Sequence, residues 1–201
     1  MSKTILCTLA DKYQTDKGGE STMYGGMMGG GCHNYTPTYH ELFGSARNDI
    51  KMVLEIGINA GGSLRMWKEY FPSALIVGLD NNPWALVHTE DRIMCLLADQ
   101  NDQASLLNAI SKIGDQRGCF NVIIDDGSHV RRHQRVSMET LLPFLSPGGL
   151  YVVEDLGRNF PLEVDTLVSL VPDGYKWEVL TCNGGIGGCA GDEWLFVVQR
   201  D

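Results

Sequence analysis

The 201-residue sequence predicts an α/β fold, a doubly wound and mostly parallel sheet of seven strands with helices on both faces. Three observations predict it. From residue 52 onward, short apolar runs alternate with stretches of helical periodicity, the pattern of strands joined by crossover helices. Runs such as Asn121-Val-Ile-Ile-Asp125-Asp126 and Tyr151-Val-Val-Glu154-Asp155 are apolar until they stop abruptly in acids, as buried parallel strands do at a ligand crevice. The last two runs, Trp177 to Thr181 and Trp194 to Gln199, flank the Gly-rich link Gly184 to Gly191 and read as a closing antiparallel pair.

The chain reads as a single domain in two parts, an opening segment over residues 1–45 and a core over 46–201. Leu9 to Lys17 predicts a short helix followed by a polar turn. The glycine-rich run from Gly18 to Gly31 cannot build a core, and the aromatic and polar cluster after it, Cys32 to Tyr39, predicts a lid. His40 to Phe43 closes a helix with Gly44 as its stop. Met52 to Ile58 is the first strand, Gly61 to Phe71 an amphipathic helix, Leu75 to Asp80 the second strand and Arg92 to Asp99 the third. Leu106, Leu107, Ile110 and Ile113 mark a helix over Gln103–Ile113. A helix from His129 to Leu145, ended by Pro147-Gly148-Gly149, follows the Asp-Asp strand. The Glu-Asp strand and a helix from about Leu162 to Val171 complete the alternation.

A chain of this length buries roughly 70% of its unfolded surface and needs no covalent staples. The formal net charge of −9 argues against nucleic-acid backbones and anionic membrane surfaces as partners. No apolar stretch reaches the length of a membrane span, and the first residues lack the apolar core of a secretory leader. The six cysteines are scattered without CxxC spacing, and Cys95 and Cys119 sit inside apolar runs. Zinc-finger and disulfide frameworks are therefore weakly supported, and a reducing cytoplasm is the expected home. Homo-oligomerisation is left open.

Two sites emerge at the predicted strand ends. Glu55-Ile-Gly57-Ile-Asn59-Ala-Gly61-Gly62-Ser63 joins the first strand to its helix, with glycines that allow close approach to a ligand and a helix N-terminus behind them. The spacing is not GxGxxG, and Glu55 would serve an ammonium or sulfonium better than a pyrophosphate. Asp80 stands where an acid binds ribose hydroxyls, and Asp99-Gln100 could hydrogen-bond a purine edge. The second site is the acid cluster. Neighbouring strands lie about 5 Å apart, so Asp126, Glu154 and Asp155 crowd together and require a cation among them.

The glycine loop, Asp80 and the strand pattern resemble a class I, Rossmann-like S-adenosylmethionine-dependent methyltransferase. Asp11-Lys-Tyr-Gln-Thr-Asp-Lys17, His33-Asn-Tyr35-Thr36, Ile124-Asp-Asp-Gly-Ser-His129 and Val153-Glu-Asp155 are similar to the metal-dependent sugar O-methyltransferases of macrolide antibiotic biosynthesis. That resemblance implies a small-molecule glycoside or polyol acceptor, Asp126, Glu154 and Asp155 as magnesium ligands, and His129 as general base. It also places Lys17, Tyr35 and Thr36 among the residues that bind the cofactor. The chemistry agrees with those roles. An alcohol is a poor nucleophile until a hard divalent cation lowers the cost of its deprotonation, oxygen donors favour magnesium, and a histidine is the natural base near neutrality.

Other readings remain on the sequence alone: a catechol-type O-methyltransferase, a non-catalytic S-adenosylmethionine- or nucleotide-binding module, or a nicotinamide-dependent oxidoreductase, which the glycine spacing disfavours. His129 and His133, four apart, suggest zinc, but Val130 stands where zinc hydrolases place Glu. Asp125 reads as a helix cap. His40, His88 and His133 read as ordinary surface histidines, and Arg131-Arg132 as a solvated helix face. One difficulty is internal to the metal reading: Glu154 and Asp155 point to opposite faces of an ideal strand, so both reach one ion only where the strand has turned into loop.

Overall fold

The computed structural model describes residues 3–18, 32–114, 118–157, 160–182 and 194–201, with side chains of 160–163 left out. The greater part of the Gly-rich run after Gly18 and the link Gly184 to Gly191 lie outside the described residues. The chain runs α1 (Ile5–Tyr13), α2 (Thr36–Phe43), β1 (Met52–Ile56), α3 (Gly62–Tyr70), β2 (Leu75–Asp80), a 3₁₀ turn (Pro83–His88), β3 (Ile93–Leu97), α4 (Gln103–Ser111), β4 (Phe120–Asp125), α5 (Arg131–Leu141), β5 (Leu145–Val153), α6 (Phe160–Val168), β6 (Tyr175–Thr181) and β7 (Trp194–Arg200). The sheet has seven strands in the order β3-β2-β1-β4-β5-β7-β6. All neighbours from β3 to β5 pair in parallel, and β7 runs antiparallel to both β5 and β6.

Alternation along the strands builds two cores. Val53, Ile76, Val122, Ile124 and Val152 face one side of the sheet, where α1, α2 and α3 cover them. Leu54, Ile56, Val77, Ile123 and Val153 face the other, against Leu106 and Ile110 of α4 and Met138 and Leu141 of α5. The first core is bound by aromatic packing between helices: Tyr39 meets Trp67 edge-on at 5.3 Å and stacks on Phe43 at 5.4 Å. Such pairs add roughly 0.5–1.5 kcal/mol each beyond area burial.

Several boundaries differ from expectation, for local reasons. Thr4 caps α1 by accepting from the Cys7 N–H, so that helix starts before Leu9. Gly44 ends α2 but keeps a right-handed conformation (φ −57°), and the chain continues in turns. α5 is shorter than read: His129 lies outside it at φ +56°, and Leu145 to Gly149 belong to β5, entered after a 3₁₀ turn and an irregular register against β4. The strand order reverses between β1 and β4, with β2 on one side and β5 on the other. That reversal opens a crevice at the carboxyl ends of β1, β2, β4 and β5, the place where α/β sheets bind ligands.

Candidate active site

The glycine loop forms as the sequence implies. Gly57 (φ +92°) leaves β1 so close to β4 that a Cβ would sit 2.0 Å from the Asp126 carbonyl oxygen. Asp80 orders the turn, accepting from the N–H groups of Ile58 (2.9 Å) and Asn59 (3.3 Å). Gly61 (φ +72°) stands just before α3, and Gly62 fits beneath the Tyr13 carbonyl, where a Cβ would approach to 2.6 Å. Gly57, Asn59, Gly62, Ser63 and Asp80 line a cavity of about 670 Å³ that also reaches Asp126, His129, Glu154 and Asp155. Asp99 and Gln100 line a smaller adjoining cavity of about 200 Å³.

Three of the residues expected at the cofactor have partners within the chain. Glu55 is fully buried below the cavity, accepting from Ser63 Oγ (2.8 Å) and Trp67 Nε1 (3.2 Å), and the ammonium near it is the chain's own Lys17 at 3.3 Å. Gln100 spends its amide internally: Nε2 donates to Asp125 Oδ1 at 2.6 Å and Oε1 accepts the Ser128 N–H at 2.9 Å. It braces the Asp126-to-His129 loop rather than reaching for a purine. Thr36 is also buried, its hydroxyl donating to Cys7 Sγ.

Each strand tip carries two acids with opposite fates. Asp125 ends β4 inside the protein, held by Gln100, by the Ser137 hydroxyl and by the Gly127 N–H. It is no helix cap. Burial pushes its carboxyl up to about 6, against those donors. Asp126, one residue on, enters the cavity. At the neighbouring tip Glu154 is 1% exposed, with Oε2 accepting from Lys17 Nζ at 2.6 Å and Oε1 from the Tyr39 hydroxyl. Asp155 has turned out of the strand at φ +53° and lines the cavity with Asp126. Its Oδ1 accepts from the Tyr35 hydroxyl at 2.6 Å, and His33 Nδ1 and His129 Nδ1 lie 3.0 and 3.4 Å from its two oxygens.

The side chains that come together for a cation are Asp126, His129 and Asp155, whose ligand atoms all lie within 4.8 Å of one another. Glu154 stands behind this set, its oxygens engaged by Lys17 and Tyr39. The cation that the crowded acids require is thus partly internal: Lys17, 1% exposed, also meets Asp126 Oδ2 at 2.5 Å. Its ammonium is held well above the ordinary lysine range by Asp126, Glu154 and Glu55, which outweigh the opposing cost of burial. Burial pushes Glu154 and Asp155 upward, and the charge of Asp126 adds to both shifts. One lysine does not balance Glu55, Asp126, Glu154 and Asp155. The residual negative charge, carried by carboxylate oxygens with an imidazole beside them, fits a hard divalent ion.

Asn59, His129 and Asp155 all adopt left-handed backbone conformations, which these residue types tolerate and which cluster at functional sites. The zinc pattern dissolves with that geometry, because His129 is outside α5 and His133 Nδ1 contacts Ser128 Oγ at 2.8 Å. Tyr39 and His33 escaped the sequence reading as site residues. Tyr39 had a signal, being one helical turn beyond Tyr35 on the same face; His33 had none beyond its place in the Cys32-to-Tyr39 cluster.

Sheet order, reversed last strand, glycine turn and Asp80 together define a class I methyltransferase fold. No protein-family model matches the chain. It is 44% identical over 163 residues to demethylmacrocin O-methyltransferase of Streptomyces fradiae, covering 77% of this chain and 37% of that protein. It is also 44% identical over 161 residues to mycinamicin VI 2''-O-methyltransferase of Micromonospora griseorubida, covering 77% and 36%. The solved MycE methyltransferase from the mycinamycin pathway, in complex with Mg, SAH and mycinamycin VI, superposes with a TM-score of 0.73 at 30% identity, over 98% of this chain and 55% of that one. The chain is similar to the sugar O-methyltransferases that these enzymes typify, and it spans little more than a third of the length of the curated relatives it matches.

Proposed function

We propose that the protein transfers a methyl group from S-adenosylmethionine to a hydroxyl of a glycosylated small molecule, with magnesium at Asp126 and Asp155 and with His129 as the base beside it. The observation that carries this reading is the cation-ready set Asp126, His129 and Asp155 opening into the same cavity as the Gly57–Ser63 turn and Asp80. When bound, the donor supplies the methyl group and the metal supplies the positive charge that eases deprotonation of the acceptor hydroxyl. The protein's part is positional. Gly57 and Gly62 keep the turn thin, Asp80 offers its carboxylate to ribose hydroxyls, and Asp126 and Asp155 hold negative charge on the far wall.

His129, 44% exposed in its side chain, is reachable by an acceptor and takes its proton, with Asp155 beside Nδ1 to orient the ring. Glu154 backs the cation set. Lys17 and Tyr35, expected at the cofactor, act through the acids they hold. We assign residues 1–45 as the acceptor-side segment of one methyltransferase domain. No described helix is long and apolar enough to cross a membrane, and the free thiols of Cys7, Cys32, Cys95, Cys119 and Cys182 accord with a cytoplasmic enzyme.

The test is transfer of labelled methyl from S-adenosylmethionine to deoxysugar glycosides. Transfer abolished by EDTA, restored by Mg²⁺ and lost in Asp126→Ala is expected; activity retained in EDTA would refute the metal role.

A further inference from the structure

We propose that Lys17 is a built-in counter-cation that fixes which oxygens of the acid cluster remain for a metal ion, giving up metal affinity for geometry. The inference rests on the metal-dependent reading above and assigns Lys17 as a positioning residue. Its ammonium has three protons and three carboxylate partners: Asp126 Oδ2 at 2.5 Å, Glu154 Oε2 at 2.6 Å and Glu55 Oε1 at 3.3 Å. Tyr39 takes Glu154 Oε1, and Tyr35 takes Asp155 Oδ1. Among the described residues, Asp126 Oδ1 and Asp155 Oδ2 are the oxygens of Asp126, Glu154 and Asp155 that Lys17, Tyr35 and Tyr39 do not take, and the latter lies 3.4 Å from His129 Nδ1.

The lysine is placed from its backbone as well. Its carbonyl accepts the Thr36 N–H at 3.2 Å, while Asp16 and Gly18 accept from His33 and Asn34. Residues 16–18 and 33–36 therefore form a closed neck against the acids. A fixed positive charge a few ångströms from a divalent ion weakens that ion's binding. A methionine would fill much the same buried volume without that penalty. What the ammonium adds is a fixed direction for two carboxylates, and misplacement of a reacting group by about 1 Å can cost on the order of 100-fold in rate.

The experiment is Mn²⁺ titration of the full chain, read as free-ion EPR signal, beside methyl transfer at saturating metal. Lys17→Met is expected to bind Mn²⁺ about tenfold or more tighter and to turn over about tenfold or more slower. Lys17→Met combined with Glu55→Gln removes one charge of each sign, so affinity is expected to return toward wild type while turnover stays low. A merely structural lysine would move affinity the other way. A folded Lys17→Met that binds Mn²⁺ with unchanged or weaker affinity, or that turns over normally, overturns the inference. So does failure of both variants to fold with excess Mn²⁺ present, which would make the ion pair purely structural. Wild type that binds no Mn²⁺ overturns the metal reading itself, and this inference with it.

Discussion

Asp125 and Glu154 stand at the tips of adjacent strands, each the buried partner of an acid that faces the cavity, and the protein stabilises them by different means. Asp125 is surrounded by neutral donors: an amide, the Ser137 and Tyr151 hydroxyls and a backbone N–H. Glu154 is met by an ammonium and a phenol. Neutral donors hold a carboxyl in place without adding charge, so Asp125 can anchor its loop while leaving the local electrostatics to Asp126. The ammonium at Glu154 does both, and it reaches across to Asp126 as well. One tip is braced within the sheet and α5; the other is braced by a segment from the far N-terminus.

The largest expected effects separate the cavity-facing acids from the buried ones. His129→Ala should lower kcat/KM by about 10²–10⁴-fold, and Asp126→Ala at least as much, whereas Asp125→Asn should cost markedly less activity in the same methyl-transfer assay. Next is stability. Glu154→Leu leaves a buried ammonium short of a partner and should cost about 3–5 kcal/mol in chemical denaturation, against about 1–3 kcal/mol for Asp125→Leu, which strands only neutral donors. Equal costs would erase the distinction.

The third test is pH. The folded Asp125 carboxyl, at about 6, is raised above its ordinary value of 3.8. Between those values the folded state keeps a proton that the unfolded state has released, so stability falls as pH climbs from about 4 to about 6. The contribution is about 3 kcal/mol, and Asp125→Asn should flatten that part of the curve. The smallest expected effect is Ser137→Ala, which removes one donor to Asp125 and should cost about 1 kcal/mol.

Much of the architecture was legible because it is periodic. Apolar runs ending in Asp80, Asp125-Asp126 and Glu154-Asp155 gave the strands, and the glycine turn gave the crevice. What stayed hidden was partnership across distance. Nothing within a few residues of Lys17 says that it meets Asp126 and Glu154, because those contacts span 109 and 137 positions. The crowded acids did signal a missing positive charge; the sequence could not say that the chain supplies part of it. The left-handed turns at His129 and Asp155 were equally silent, and both residues line the cavity. Gln100 was misjudged for a related reason, since a strand-end amide looks available until Asp125 and Ser128 are seen to occupy it.

The paired stems at Asp16–Gly18 and His33–Thr36 carry a consequence for engineering. Whatever joins residues 18 and 32 begins and ends at one fastened point, so its length is decoupled from the catalytic geometry. Doubling such a connection costs only about 0.6 kcal/mol in closure entropy. Segments of different length and composition can therefore be grafted between the stems with Lys17 and its carboxylate partners left in place.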